Sequence, residues 1–380
     1  MGKRLHVVIL GLSITSSWGN GHATTYRALV RELEARGHDV LFLERETPWY
    51  AHNRDLPEPP FGRTRLYSGL DDLKSRFARA VCDADLCIVG SYVPQGSAVG
   101  EWVIDIAKGT TAFYDIDTPV TLGKLERGEF DYLTPQLIPQ YDLYLSFTGG
   151  PTLEHIERRY GSPMARPLYC CFDPALYYPI GVEKKWDLGY MGTYSDDRQP
   201  LLDLLMLEPA RRASHYRMVV VGPQYPACIQ WPTNIERIEH LPPARHRAFY
   251  NAQRFTLNLT RADMSRAGYS PSVRLFEAAA CATPVISDYW AGLDSFFEIG
   301  KEIFVAASPE ETLQVLCNTT EEKRRAVGER ARASALAEHT AGRRVAELES
   351  YVFEHLAGCR KPNLECGGKQ LGSPAGQLVP

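Results

Sequence analysis

The chain has 380 residues, and at about 100–200 residues per domain this length predicts two domains. Hydrophobic residues make up 44% and charged residues 23% of the sequence, which excludes a fibrous or largely disordered class. A formal net charge of −4 excludes the strongly basic character of many nucleic-acid-binding domains, so we expect no nucleic-acid partner.

The sequence holds no run of about 18 apolar residues, so we expect no transmembrane segment, while peripheral contact with a membrane stays open. Nine cysteines are present at irregular spacing, without the two C-x-x-C pairs of a zinc site. They predict free thiols in a reducing compartment, and therefore a cytoplasmic protein without a cysteine zinc site.

The first half of the chain alternates strands and helices. His6–Leu10 is predicted as a buried strand, His22–Arg36 as an amphipathic helix and Val40–Leu43 as a second buried strand. Predicted strands and helices continue to alternate after residue 43, so we expect residues 1–168 to form a Rossmann-like α/β domain with a parallel sheet. Residues 48–70 are rich in proline, glycine and arginine and are predicted to be irregular.

The second half of the chain also alternates strands and helices, although its sequence does not repeat that of the first half. Residues 169–185 lack periodicity and are predicted to be an interdomain linker, followed by a second Rossmann-like domain over residues 186–340. Residues 341–358 are predicted to form a C-terminal helix. Residues 359–380 are rich in glycine, proline and serine, and we expect a disordered tail there.

A glycine-rich loop precedes the first predicted helix and contains Gly19, Asn20, Gly21 and His22. Glycines allow a ligand to approach the backbone, and a helix N-terminus attracts anions. The loop is therefore a candidate anion or sugar site, although a plain tight turn is the alternative. His22 is either a catalytic group or a residue that caps the helix.

Two carboxylates, Asp115 and Asp117, follow the predicted strand Thr111–Tyr114. Ligands of open α/β sheets bind at the carboxyl ends of strands. Either aspartate is a candidate general base, sugar-hydroxyl ligand or Mg²⁺ or Mn²⁺ ligand. The structural alternative is that Asp117 or Thr118 caps the next turn.

The strongest signal lies between residues 261 and 288, where a polar loop leads into a predicted helix. Ser270 is a suitable N-cap and Pro271 suits the first helical turn, so the helix is expected to begin near Pro271. Its N-terminus would attract a diphosphate, with Arg261 or Arg266 adding charge-assisted hydrogen bonds. Arg274 and Glu277 are three residues apart, and a surface ion pair between them is one alternative.

These residues resemble those of GT-B-fold glycosyltransferases. The segment 274–287 resembles the donor-binding signature of the group 1/family 4 transferases. The words TRADM at residues 260–264 and GYSPSVRLFE at residues 268–277 resemble the CgeB-type, spore-maturation-protein-like transferases. The resemblance implies two Rossmann-like parallel-sheet domains that face each other across a cleft, with the C-terminal helix packing back toward the first domain.

The resemblance also implies roles for individual residues. Glu277 would bind the donor ribose, Arg198 and Arg261 would face the diphosphate, and the Gly19–His22 loop would face the cleft from the acceptor domain. The residues implied around the donor are Gly192, Thr193, Arg198, Gly222, His240, Leu241, Arg261, Ser270, Pro271, Ser272 and Glu277.

The implied activity is transfer of a sugar from a UDP- or GDP-sugar to a hydroxyl of a glycan, protein or small molecule, with retention and without a metal or other cofactor. If the reaction inverts instead, Asp115, Asp117 or His22 would be the base. A nucleotide-sugar epimerase and a degenerate donor-binding protein are the alternatives. Tyr269 stands where the family has a second glutamate, and Asp263 is the candidate replacement.

Overall fold

Two parallel sheets organise the chain. The structure, a computed structural model, describes residues 4–359. The predicted disordered tail therefore lies outside the described residues, apart from Cys359 at the end of the last helix.

The first domain has a seven-stranded sheet of order β3-β2-β1-β4-β5-β6-β7 in which every neighbouring pair is parallel. Its central strands are buried throughout because helices cover both faces of the sheet. The strands are β1 (His6–Gly11), β2 (Asp39–Arg45), β3 (Arg63–Tyr67), β4 (Leu86–Gly90), β5 (Thr110–Asp115), β6 (Leu143–Ser146) and β7 (Ala165–Pro167). The helices are α1 (His22–Ala35), α2 (Pro48–Ala51), α3 (Leu70–Cys82), α4 (Gly96–Ile106), α5 (Thr118–Glu126) and α6 (Pro151–Tyr160).

The second domain has a six-stranded parallel sheet of order β10-β9-β8-β11-β12-β13. The strands are β8 (Trp186–Met191), β9 (Met218–Val221), β10 (Ile235–Ile238), β11 (Gln253–Asn258), β12 (Val285–Ser287) and β13 (Phe304–Val305). The helices are α7 (Gln199–Leu202), α8 (Glu208–Arg212), α9 (Pro243–Asn251), α10 (Ala262–Ala267), α11 (Val273–Ala280), α12 (Pro309–Asn318), α13 (Glu321–Glu338) and α14 (Ala341–Cys359).

The last helix returns to the first domain. On α14, Glu349 accepts hydrogen bonds from Arg36 at 2.7 Å and lies 2.8 Å from Nε2 of His38, and both partners belong to the first domain. Two Rossmann-like sheets facing a cleft, with a C-terminal helix that packs on the first domain, confirm the predicted fold class.

Two local predictions are wrong. Residues 48–70 are not wholly irregular, because they contain α2 and the edge strand β3. Much of β3 is exposed, so its sequence lacks the apolar run by which buried strands are recognised. Helix α11 begins at Val273 and not near Pro271, because Ser272 has extended backbone angles. Within residues 4–359, no helix is long and apolar enough to cross a bilayer.

Candidate functional site

A cleft of about 460 Å³ lies between the carboxyl edges of the two sheets. It gathers segments that are far apart in sequence, including the first glycine-rich loop and α11. The predicted residues that line it are Gly19, Asn20, Gly21, His22, Asp117, Gly192, Thr193, Arg198, Gly222, His240, Leu241, Arg261, Ser270, Pro271, Ser272 and Glu277.

Glu277 lies on the cleft wall and is only 1% exposed. It occupies α11, where the three alanines that follow it are also buried. The hydroxyl of Tyr250 donates a 3.0 Å hydrogen bond to its Oε2. Its Oε1 has no hydrogen-bond partner among the residues that the structure describes. Glu277 therefore offers a ligand one buried acceptor atom.

Arg274 lies one turn before Glu277 and is also buried, at 7% exposure. Its Nε donates to the carbonyl of Met191 at 2.6 Å, and its Nη1 donates to Oδ1 of Asn258 at 2.7 Å. The structure excludes the alternative of a surface ion pair with Glu277, because both side chains are buried and Arg274 turns toward the strand ends. A buried cation with neutral partners at the cleft suits an anionic ligand. The sequence reasoning did not include Arg274 in the donor site.

Two further arginines reach the cleft. Arg198 donates to the carbonyl of Thr193 at 2.6 Å, and its buried Nε has no partner among the described residues. Arg261 lies between two carboxylates, with Nη1 3.4 Å from Asp117 and Nε 3.5 Å from Asp197. Together with Arg274 they bring three guanidinium groups to one cleft.

Glycines bring two strand ends together at one end of the cleft. Gly222 has a φ of +151°, and a Cβ at this position would lie 1.9 Å from the carbonyl oxygen of Gly192. Only glycine fits this approach. Beyond it, the ring of His240 lies 4.6 Å from that of Trp18 of the first domain, and burial lowers the pKa of His240.

Buried side chains hold the glycine-rich loop of the first domain in place through hydrogen bonds. The buried Glu44 carboxylate accepts hydrogen bonds from Ser13, Ile14 and Thr15, at 2.6–3.0 Å. Asn20 is buried and donates to the carbonyls of Ser13 and Ser16. This scaffold fixes where the loop meets the cleft, and no spacing in the sequence indicated Glu44.

His22 follows this loop and faces the second domain. Its ring packs edge-on against Phe147 at 5.6 Å. Burial lowers its pKa, and the charge of Arg261 acts in the same direction against the opposing charge of Asp117. The imidazole is therefore neutral near pH 7 and able to accept a proton.

The two aspartates that were predicted as a pair differ in position. Asp115 is fully buried and does not line the cleft. It accepts hydrogen bonds from Tyr144 at 2.5 Å and Thr121 at 2.7 Å, and burial raises its pKa to about 6. Asp117 lines the cleft and accepts a 2.9 Å hydrogen bond from Tyr92. We therefore correct the candidate role of Asp115 from catalysis to support of the fold.

The residues before α11 join the two domains. The hydroxyl of Ser270, which was expected to cap the helix, bonds that of Thr148 in the first domain at 2.8 Å. Ser272 donates to Asn258 at 2.8 Å and makes no side-chain cap either. The start of α11 is thus left without a side-chain cap where it lines the cleft.

Tyr269, which stands where the resemblance described above implies a glutamate, lies outside the cleft lining. It has a φ of +47°, and its ring is packed between Gly150 of the first domain and Gly292 of the second. Asp263 forms an ion pair with Arg266 and also lies outside the lining. The structure therefore places neither the Tyr269 nor the Asp263 side chain in the cleft lining.

The two domains, the cleft and the returning helix define the GT-B fold. Solved structures share it over almost their whole length. Sucrose-phosphate synthase from Thermosynechococcus elongatus has a TM-score of 0.67 at 14% identity, covering 93% of this chain and 99% of the other. HepE from Anabaena, in complex with UDP-glucose, has a TM-score of 0.67 at 12% identity, covering 93% and 99%. An alpha-glucosyltransferase in complex with UDP and DNA has a TM-score of 0.68 at 12% identity, covering 92% and 100%.

Sequence comparison adds a partial match. Residues 198–350, which include the three arginines and Glu277, match a family model described as glycosyl transferase-like. No curated protein matches the chain. At the identities above, the solved structures establish the fold alone.

Proposed function

We propose that the chain is a glycosyltransferase that binds a nucleotide-sugar donor in the interdomain cleft and transfers its sugar to an acceptor hydroxyl. The observation that supports this most is the unpartnered Oε1 of Glu277, a buried carboxylate oxygen on the cleft wall. A buried acceptor without a donor costs about 1–3 kcal/mol. The hydroxyls of a ribose would supply the missing hydrogen bonds.

The arginines support a diphosphate beside that ribose. Arg274 and Arg198 each retain charge that neutral partners do not balance, and both line the cleft. Positive groups fixed in place before the reaction stabilise the charge that develops on a departing diphosphate. We therefore assign leaving-group stabilisation to these arginines and to the start of α11, without a metal.

We propose a UDP-sugar as the first candidate donor and a GDP-sugar as the second. HepE and the alpha-glucosyltransferase, which share the fold, are described in complex with UDP-glucose or UDP. Gly222, His240 and Leu241 would line the base pocket, because they lie at the strand ends beside the arginines. The acceptor is unspecified beyond a hydroxyl-bearing glycan, protein or small molecule.

The first domain would hold the acceptor. His22 and Asp117 face the second domain across the cleft, and neutral His22 would receive the proton of the acceptor hydroxyl only if the reaction inverts. We propose retention, in which the departing phosphate takes that proton. NMR of the product's anomeric centre distinguishes retention from inversion, and an epimerised sugar formed without any acceptor would identify an epimerase instead.

Thermal shift with a panel of UDP-, GDP- and dTDP-sugars tests the donor site. A bound donor raises the melting temperature by mass action, and we expect one base to stand out. Glu277→Ala should weaken binding of that donor by about 1–3 kcal/mol in calorimetry. Glu329→Ala, on the exposed face of α13, is the control and should bind as the wild type does. If no member of the panel raises the melting temperature, the proposal is rejected.

A further inference from the structure

We infer that Tyr250 is a positioning residue that fixes the Glu277 carboxylate, so that Oε1 is the oxygen that receives the ribose hydroxyls. This inference rests on the proposed function and extends it. It concerns a residue on a different helix, α9, outside the motif that suggested a donor site.

Tyr250 is fully buried, and both ends of the residue are anchored. Its hydroxyl donates to Oε2 of Glu277 at 3.0 Å. Its backbone carbonyl accepts a 2.8 Å hydrogen bond from the hydroxyl of Thr283, in the segment after α11. Because Tyr250 is fully buried and its backbone is held, its phenol has little room to follow the carboxylate if Glu277 rotates, so the pairing favours one orientation of the carboxylate.

The interdomain linker contributes a second phenol. The hydroxyl of Tyr177 lies 3.4 Å from Nδ1 of His246, whose Nε2 lies 3.0 Å from the carbonyl of Leu241. Because a carbonyl only accepts, Nε2 carries the proton and Nδ1 is free to accept from Tyr177. The same Nδ1 lies 3.7 Å from Oε2 of Glu277. The Tyr250 phenol and the His246 imidazole thus both lie beside Oε2, and the Tyr177 phenol contacts the imidazole.

The phenols remain donors over the physiological pH range. Burial, followed by the charge of Glu277, raises the pKa of Tyr250 and that of Tyr177 well above the usual range for tyrosine. A protonated phenol donates to Oε2 and leaves Oε1, which has no partner among the described residues, available to a ligand. A carboxylate held in its binding orientation loses less conformational entropy when a ligand binds.

The ratio of two affinities tests this role. The probes are the nucleoside diphosphate that thermal shift selects and its 2′,3′-dideoxy analogue, which lacks the ribose hydroxyls. The wild type should bind the ribose form roughly tenfold to a hundredfold more tightly than the dideoxy form, because the ribose hydroxyls donate hydrogen bonds to the charged carboxylate of Glu277. Tyr250→Phe should reduce this preference at least fivefold while leaving the affinity for the dideoxy form nearly unchanged.

If Tyr250 had a purely structural role, Tyr250→Phe would weaken the binding of both ligands by the same factor. The ratio of the two affinities would then equal that of the wild type, which would overturn the inference. Tyr141→Phe is the matched control, because it removes a buried hydroxyl without a partner among the described residues, in the other domain. Should Tyr250→Phe fail to fold, Tyr177→Phe serves in its place. It should shift the ratio in the same direction by a smaller factor, and an unchanged ratio would again overturn the inference.

Glu277→Gln separates this inference from the proposed function. If Glu277→Gln lowers the preference for ribose but Tyr250→Phe does not, the ribose contact stands and the positioning role is rejected. If Glu277→Gln leaves the preference intact, the ribose contact itself is rejected.

Discussion

Arg261 of the second domain and Asp117 of the first face each other across the cleft, with Nη1 3.4 Å from Oδ2. Arg261 also lies 3.5 Å from Asp197 of its own domain. At these distances the contacts are ion pairs without short hydrogen bonds. A diphosphate entering the cleft would therefore compete with Asp117 for Arg261, and its binding would release the aspartate toward the acceptor.

Asp117→Asn should separate turnover from donor affinity. We expect kcat to fall at least tenfold, because Asp117 lines the acceptor side and groups that handle protons or hydroxyls contribute factors of about a hundred or more. Donor affinity should be unchanged or higher, because Arg261 loses a competing carboxylate. Steady-state kinetics and calorimetry measure the two effects. Asp131→Asn is the control, because Asp131 forms an exposed ion pair with Lys124. Full activity of Asp117→Asn would show that Asp117 has no part in the mechanism.

Arg274→Gln should weaken binding of the nucleoside diphosphate but not of the nucleoside. Loss of a charged hydrogen bond to phosphate costs about 1.5–3 kcal/mol, or roughly tenfold to a hundredfold in Kd. Calorimetry with UDP and with uridine separates the phosphate contact from a general disturbance of the site. Arg254→Gln is a suitable control, since Arg254 pairs with Asp187 outside the cleft lining. Equal losses for both ligands would argue against a phosphate contact.

Gly150→Ala should destabilise the protein more than Gly37→Ala. Both glycines have positive φ, of +58° and +92°, so both substitutions introduce backbone strain of about 1–3 kcal/mol. Only at Gly150 would the new Cβ also meet a ring, at 2.3 Å from Tyr269, whereas nothing lies within 4 Å at Gly37. Urea unfolding compares the variants. A second substitution, Tyr269→Ala, should recover part of the loss in Gly150→Ala, and equal losses at both glycines would contradict the packing of Tyr269 between the domains.

His339 should make stability depend on pH. Its ring stacks on Phe276 at 4.2 Å, and Arg344 donates to its Nδ1 at 2.8 Å. Burial, with a further contribution from the charge of Arg344, lowers its pKa to about 3. The unfolded chain therefore binds a proton that the folded chain does not, and the stabilisation present above about pH 6.5 is lost as the pH falls.

His339→Gln retains an acceptor for Arg344 but does not titrate. Between pH 6.5 and 5 the advantage of the wild type over this variant should shrink by up to about 1.4 kcal/mol per pH unit. Chemical unfolding at several pH values measures this difference. Parallel stability curves for the two proteins would show that His339 is not held in its neutral form.

The sequence determined the alternation of strands and helices, because buried parallel strands require continuous apolar runs and the helices covering them show the 3.6-residue period. It also indicated α11 and Glu277, since a loop, a helix start and a small-residue stretch are contiguous there. The edge strand β3 was not predicted, because a strand that is exposed over much of its length does not need a continuous run of apolar residues.

Only the tertiary structure decided which of these residues share a site. Asp115 and Asp117 are two positions apart, yet one side chain is enclosed in the first domain and the other lines the cleft. Tyr250 and Glu277 are 27 positions apart and share a hydrogen bond, because α9 packs beside α11. Local sequence fixes which elements form, whereas the direction of a side chain depends on packing between elements that are distant in sequence.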